Sequence, residues 1–166
     1  MSLRMWQDYF TLWQNTVLKA SGGEATAVAE PGKSDSRFRG ELWQNNLVFD
    51  YIKQSYLLTS NWVVNTVRQV DGVDDETAKR IDFYTRQFVD AMAPSNFALT
   101  NPEVVRATID SGGQNLVKGL SNLLNDLERG KGRLRIRMSD DTSFEVGRNV
   151  AVTPGKVVFQ NDLIQL

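Results

Sequence analysis

Apolar positions along the chain fall into helical spacing from the start and change to strand spacing near the end. From Arg4 to Ala20, Trp6, Phe10, Trp13 and Val17 share one helical face with Tyr9 beside it, while Gln7, Asp8, Gln14 and Lys19 lie elsewhere. Ser21 to Gly40 has no sustained period, is rich in Gly, Ser, Ala and charge, and carries Pro31, which reads as a linker. Phe38 and Trp43 are strong apolar anchors at its end. From Asn46 to Val70 one long helix is expected, stopped by Gly72. Phe49, Ile52, Tyr56, Val63, Val67 and Val70 descend one face, and Leu47, Tyr51, Leu58 and Trp62 the next. So wide a stripe marks a central helix in contact on two sides.

Asp74 or Asp75 suits the cap of the following helix, with Glu76 in its first turn. Ala78, Ile81, Tyr84, Phe88 and Met92 have the spacing of a single buried face. Pro94 cannot continue that helix and biases Ala93 toward extended backbone. The next start is marked twice over. Asn101 can cap with Pro102 at the first helical position, or Thr100 and Glu103 can form a capping box. Between the helices, Ser95, Asn96, Phe97 and Leu99 make a polar turn with two apolar anchors. A short helix then runs to Asp110, and another, with Leu116, Leu120, Leu123 and Leu127 on one face, stops at Gly130. The Ser111-Gly112-Gly113 turn is either a tight helix–helix turn or a seat for phosphate on free N–H groups.

After Gly130 the period becomes two. Leu134, Ile136 and Met138 alternate with Arg133, Arg135 and Arg137, the pattern of a strand with one buried face. With Arg129 and Lys131 the arginines form a basic stripe. It is either a solvated edge that blocks mispairing or a surface for nucleic acid, acidic protein or coenzyme phosphates. Phe144–Val152 and Val157–Leu166 read as two more strands around Thr153-Pro154-Gly155-Lys156, where Pro-Gly suits a type II turn.

The sum is a mainly α chain of the α+β class, with about five helices followed by a small antiparallel β element. The divisions are an amphipathic helix over 1–20, a linker over 21–40, a helical domain over 41–132 and a β segment over 133–166. With 41% hydrophobic residues among 166, the chain can build a core. Its net charge of −1 gives no general attraction to nucleic acid or anionic membrane. There is no signal-peptide pattern and no apolar run near the roughly 18 residues that span a bilayer, so a cytoplasmic origin is the default.

Four runs carry a family resemblance: SDSRFRGELWQNN (Ser34–Asn46), FYTRQFVDAMAPSNFALTNPE (Phe83–Glu103), SGGQNLVKGLSNLLNDLERG (Ser111–Gly130) and FEVGRNVAVTPGKVVFQNDLIQL (Phe144–Leu166). In this order they resemble the N-terminal region of class I polyhydroxyalkanoate synthases, from Ser34 to the end of the chain. The resemblance implies part of an acyltransferase that joins hydroxyacyl units from coenzyme A thioesters into a polyester. Such enzymes carry a Cys nucleophile in a G-x-C-x-G turn, with His and Asp, on an α/β-hydrolase core. The chain has no Cys and no His, so neither thiolate nor imidazole exists in it and no catalytic residue carries over. The resemblance further implies that both ends are cut and that residues 133–166 open the sheet of a hydrolase domain.

No metal-ligand spacing or paired carboxylates are visible, and no cofactor site is expected. The candidate interaction surfaces are Trp6, Phe10 and Trp13 on the first helix and Arg133, Arg135 and Arg137 on the basic strand. The aromatic face either docks on the rest of the domain, lies on a lipid or polymer surface, or pairs with a second chain. Three function readings follow. One is the non-catalytic N-terminal region of a polyester synthase, supporting folding, self-association as a dimer, and docking on polyester granules or granule-associated proteins. The others are a standalone protein- or lipid-surface module and a nucleic-acid binder working through the basic strand.

Overall fold

The computed structural model describes residues 3–134, 136, 138 and 143–166. Six α-helices are found among them: α1 (Leu3–Ala20), α2 (Leu42–Asn45), α3 (Leu47–Arg68), α4 (Asp75–Ala91), α5 (Pro102–Asp110) and α6 (Gln114–Arg129). A 3₁₀ turn, Pro94–Asn96, lies between α4 and α5. The chain divides into two compact units, Met1–Leu116 and Val117–Leu166.

The first unit is built around α3. Asn46 caps it, its side chain accepting from the N–H groups of Val48 and Phe49. α1, α2 and α4 all pack against it, as the width of its apolar stripe requires. The core lies over its N-terminal half, where Leu57 meets Ala29, Phe38 and Trp43, with Phe49, Ile52, Tyr56 and Leu58 packed around them. Phe38 sits edge-on to Trp43 at 5.0 Å, and Trp43 edge-on to Phe49 at 6.0 Å. The segment whose composition reads as a linker therefore supplies half of this core. Its backbone is tied down too: the N–H of Val28 donates to Gln54 Oε1 at 2.7 Å and that of Ala29 to the same oxygen at 3.3 Å.

The corner after α4 follows the local chemistry of its residues. α4 begins at Asp74, whose carboxylate accepts from Thr77 N–H, and ends before Ala93, which is extended at ψ 133 ahead of Pro94. Asn96 Nδ2 donates to the carbonyls of Asp90 and Ala91 in the last turn of α4, the first of which also accepts from Ala93 N–H. Asn101 rather than Thr100 caps α5. Its Oδ1 accepts from Glu103 N–H and Val104 N–H, its Nδ2 donates to Ser95 O at 2.8 Å, and Pro102 takes the first helical position.

The face of α4 expected to be buried is not. Ile81, Tyr84, Phe88 and Met92 are all exposed, and α4 contains no buried residue. Polar contacts set its roll instead: Arg68 of α3 pairs with Asp82 at 2.7 Å, and Tyr56 Oη donates to Val89 O at 3.0 Å. Phe97 and Leu99, expected as anchors of the corner, are exposed as well.

The second unit contains most of α6 and the residues after it. None of its described residues is buried, and Leu120, Leu123 and Leu124 on α6 are open to solvent. The expected β element is not found: among the described residues there is no strand, only two isolated bridges, Val146 with Val150 and Gln160 with Gln165. Arg135 and Arg137 of the first expected strand, and residues 139–142 between it and the second, lie outside the described residues. The Pro154-Gly155 hairpin is absent, and the backbone there does not form the expected turn. A type II turn needs positive φ at its third residue, and Gly155 does not have it. Positive φ occurs instead at Gly147 (84°) and Ala151 (56°), on either side of a turn closed by Gly147 N–H donating to Val150 O at 2.8 Å. A second tight turn forms at Asn161, whose Oδ1 accepts from Leu163 N–H and Ile164 N–H. Alternating residues make a strand only when another strand or a helix covers one face, and the described residues of this unit supply neither.

Candidate interaction surface

The first helix is held by one side and offers another. Met5 and Leu12 are buried. Between them Tyr9 Oη donates to the carbonyl of Ser55 at 3.0 Å and meets Thr59 Oγ1 at 2.6 Å, both on α3. Further along, Lys19 Nζ reaches Asp50 Oδ2 at 2.9 Å, and Asn15 Nδ2 donates to Thr26 O at 2.9 Å. These contacts fix the roll of the helix. Trp6, Phe10 and Trp13 each follow an anchored residue by one position, so each sits roughly 100° further round the cylinder. They are 62%, 59% and 55% exposed, against 2% for Trp43 in the core. Phe10 and Trp13 stack on each other with ring centroids 6.1 Å apart, and Val17 extends the stripe. The stripe is thus not the face that packs on the rest of the unit.

The polar residues beside this stripe matter as much as the rings. Gln7, Thr11 and Gln14 carry no charge, and the only ionic side chains in α1 are Arg4, Asp8 and Lys19. Lys19 is occupied by Asp50. Burial works against the Asp50 carboxylate, but hydrogen bonds from Lys53 and Lys19 outweigh it and hold its pKa below the usual carboxylate value. Lys53 is buried as well, reaching Asp50 Oδ1 at 2.8 Å and donating to Trp43 O at 2.9 Å. Sequence reading missed this cluster. Its signal was there, in three polar residues (Asp50, Lys53, Gln54) standing at helical spacing in the N-terminal half of α3, among Phe49, Ile52 and Leu57.

A second polar centre gathers around Arg37. Its guanidinium binds Asp35 and Asp90 at 2.8 Å each, donates to Tyr56 Oη at 2.9 Å, and lies over the rings of Phe38 and Tyr56. The hydrogen bond from Arg37 holds Asp35 below its ordinary pKa. Arg37 lines a cleft of about 360 Å³ with Tyr56, Asn61, Asn65, Arg68 and Arg86. All three arginines there are already engaged, Arg68 and Arg86 by Asp82, so the cleft offers an anion no unpaired cation. The Ser111-Gly112-Gly113 turn is likewise closed. Gly112 N–H donates to Ile109 O, Gly113 N–H to Thr108 O and Gln114 N–H to Ser111 O, which leaves no cradle for phosphate.

Of the basic stripe, Arg133 is exposed, while Arg135 and Arg137 lie outside the described residues. Among the described residues no group of acidic, His or Cys side chains is placed to hold a metal. No helix among them is long and apolar enough to cross a membrane.

Comparison with known proteins decides the family. Residues 34–166 match the model of the poly-beta-hydroxybutyrate polymerase (PhaC) N-terminus. The chain belongs to this polymerase N-terminal family. It is 44% identical over 163 residues to a poly(3-hydroxyalkanoate) polymerase of Methylorubrum extorquens, covering 98% of this chain and 27% of that protein. It is 42% identical to the poly(3-hydroxyalkanoate) polymerase subunit PhaC of Rhizobium meliloti, over 96% of this chain and 26% of the relative. To the PhaC subunit of Cupriavidus necator it is also 42% identical, over 98% and 26%. The chain thus spans about a quarter of the length of these polymerases. No solved structure matches it. The family match begins at Ser34, so α1 precedes the matched region, while the Arg37 centre and α2 to α6 fall within it.

Proposed function

We propose that this chain is the non-catalytic N-terminal region of a polyester synthase and that α1 is its docking surface for the uncharged polyester the synthase makes. The parent enzyme joins hydroxyacyl units from coenzyme A thioesters and releases coenzyme A, in the cytoplasm at the surface of polyester granules. The N-terminal region supports folding and brings the enzyme to the polymer. One observation carries this reading: α1 is locked by Met5, Tyr9, Leu12 and Lys19, yet keeps Trp6, Phe10 and Trp13 outside. A helix built only for the core would turn its aromatic rings inward. Helices that settle on anionic membranes line their polar face with Lys and Arg. Here Gln7, Thr11 and Gln14 stand in those places, which suits a neutral ester surface.

The experiment is co-sedimentation with amorphous poly(3-hydroxybutyrate) particles and, separately, with anionic phospholipid vesicles. The chain is expected on the particles and not on the vesicles. Replacing Trp6, Phe10 and Trp13 together with Ser removes the adsorption while circular dichroism stays unchanged. Adsorption that survives the triple replacement, or a preference for the vesicles, overturns the reading.

A further inference from the structure

The cleft beside Arg37 holds hydrogen-bonding groups that the fold does not use. It lies between α3, α4 and residues 30–37, and Leu57, Val64 and Val89 give it an apolar lining. Asn61 and Asn65 stand one helical turn apart on its α3 wall. Both are exposed, and among the described residues neither side-chain amide has a hydrogen-bond partner. The charged lining groups behave differently. Arg37 is held by Asp35 and Asp90, and Arg68 and Arg86 by Asp82. Glu30 is the one charged lining group without a partner among the described residues. We infer that this cleft binds an extended peptide segment of a partner protein, with its backbone on Asn61 and Asn65 and a Lys or Arg side chain on Glu30.

Spacing supports a peptide backbone. In an extended chain one residue turns its N–H and its C=O to the same edge, and the next residue to do so follows two places on, about 6.6–6.8 Å away. Four residues of helix rise about 6 Å, which sets the two asparagine amides at nearly that repeat. Each amide then makes a closed pair of bonds with one peptide residue: Nδ2 donates to its carbonyl and Oδ1 accepts from its N–H. Such main-chain bonds supply affinity, while the side chains between them supply selectivity. A polyester chain fits less well, because an ester has no N–H and leaves both Oδ1 atoms unmet. A phosphate-bearing ligand meets only engaged guanidinium groups and the free carboxylate of Glu30. That carboxylate instead favours a cationic side chain. Trp6, Phe10 and Trp13 do not line the cleft, so its test does not depend on polymer binding.

The test offers the immobilised 166-residue chain a library of capped hexapeptides, each with one lysine at a fixed position and neutral residues elsewhere. The best-retained peptide is then titrated by calorimetry and is expected to bind once per chain. Asn61→Ala and Asn65→Ala are each expected to weaken it about tenfold, the scale of one or two lost hydrogen bonds. Neither variant should melt below the parent chain, since both side chains are exposed and unbonded and alanine favours the helix. Glu30→Gln is expected to weaken binding about fivefold and to remove most of its salt dependence. Exchanging the peptide's amides for esters one at a time removes single N–H groups. The loss should be greatest at two positions that lie two residues apart. Retention of no hexapeptide at millimolar concentration overturns the inference. So does binding that survives the double replacement of Asn61 and Asn65 by Ala, or a series of ester exchanges without that alternation. Tighter binding of soluble 3-hydroxybutyrate oligomers than of any hexapeptide overturns it as well, and assigns the cleft to polyester.

Discussion

The Lys19 ammonium of α1 and the Asp50 carboxylate of α3 meet at 2.9 Å, and this pair helps decide which side of α1 is left to solvent. Asp50 is shared with Lys53, whose ammonium also donates to the Trp43 carbonyl behind the aromatic core. One acid thus ties the first helix, the central helix and the core together.

Removing that acid strands a buried ammonium. Asp50→Ala leaves Lys53 with the Trp43 carbonyl alone, and breaking a buried ion pair from one side costs about 3–5 kcal/mol. Urea unfolding followed by circular dichroism reads this directly. A loss under about 1 kcal/mol contradicts the role given to Asp50, since that is the scale of an exposed pair.

The pH dependence follows from the same group. Asp50 and Asp35 both titrate below their ordinary range in the folded chain. A carboxyl group whose folded pKa is depressed adds stability that is present above its unfolded pKa and is lost as pH falls through the folded one. The chain has no His to titrate near neutrality. The melting temperature is therefore expected to be flat between about pH 8 and 5 and to fall below about pH 4. A step in stability centred near pH 6 contradicts this assignment.

Asn101 works in two directions at the corner, capping α5 and holding the Ser95 carbonyl. Asn101→Ala is expected to destabilise the chain by about 1–2 kcal/mol, the upper part of the range for lost caps. Thr100→Val tests the alternative. Thr100 Oγ1 donates to Pro94 O at 2.7 Å and does not cap, so its loss changes the turn more than the helicity of α5. Equal loss of helix in both variants would show that the cap is misassigned.

Chemistry is expected to be absent from these residues taken alone. With no Cys and no His, the purified chain should release no thiol from hydroxybutyryl-coenzyme A above buffer. Steady release in a preparation free of intact synthase would show that another nucleophile is at work.

Helix ends were legible in the sequence because they rest on local chemistry. Asn46, Asp74, Pro94 and Asn101 act within a few residues of themselves, and each stands at the boundary expected for it. Which apolar face is covered was not legible in the same way. Spacing shows that α4 has an apolar stripe, but the polar contacts of Asp82 and Tyr56 turn that stripe outward. On α1 the same part is played by Tyr9 and Lys19, partners found 46 and 31 residues away in sequence. The β reading of residues 133–166 failed on a further ground. Alternation records a strand's willingness to pair, and pairing needs a neighbour that the described residues lack. The family, by contrast, was readable from ordered runs such as Phe83–Glu103, because many residue types must agree at once.

The central claim is that the aromatic face of α1 is open in the free chain and becomes covered by polyester. Acrylamide quenching of tryptophan emission, in a Trp62→Phe background, measures this most directly. Trp6 and Trp13 are more than half exposed and Trp43 is buried, so the free chain is expected to show two quenchable tryptophans and one protected. Adding amorphous poly(3-hydroxybutyrate) particles should shield the two and shift their emission to the blue, leaving Trp43 unchanged. Quenching that is the same with and without particles, at concentrations where the chain co-sediments with them, would contradict the claim.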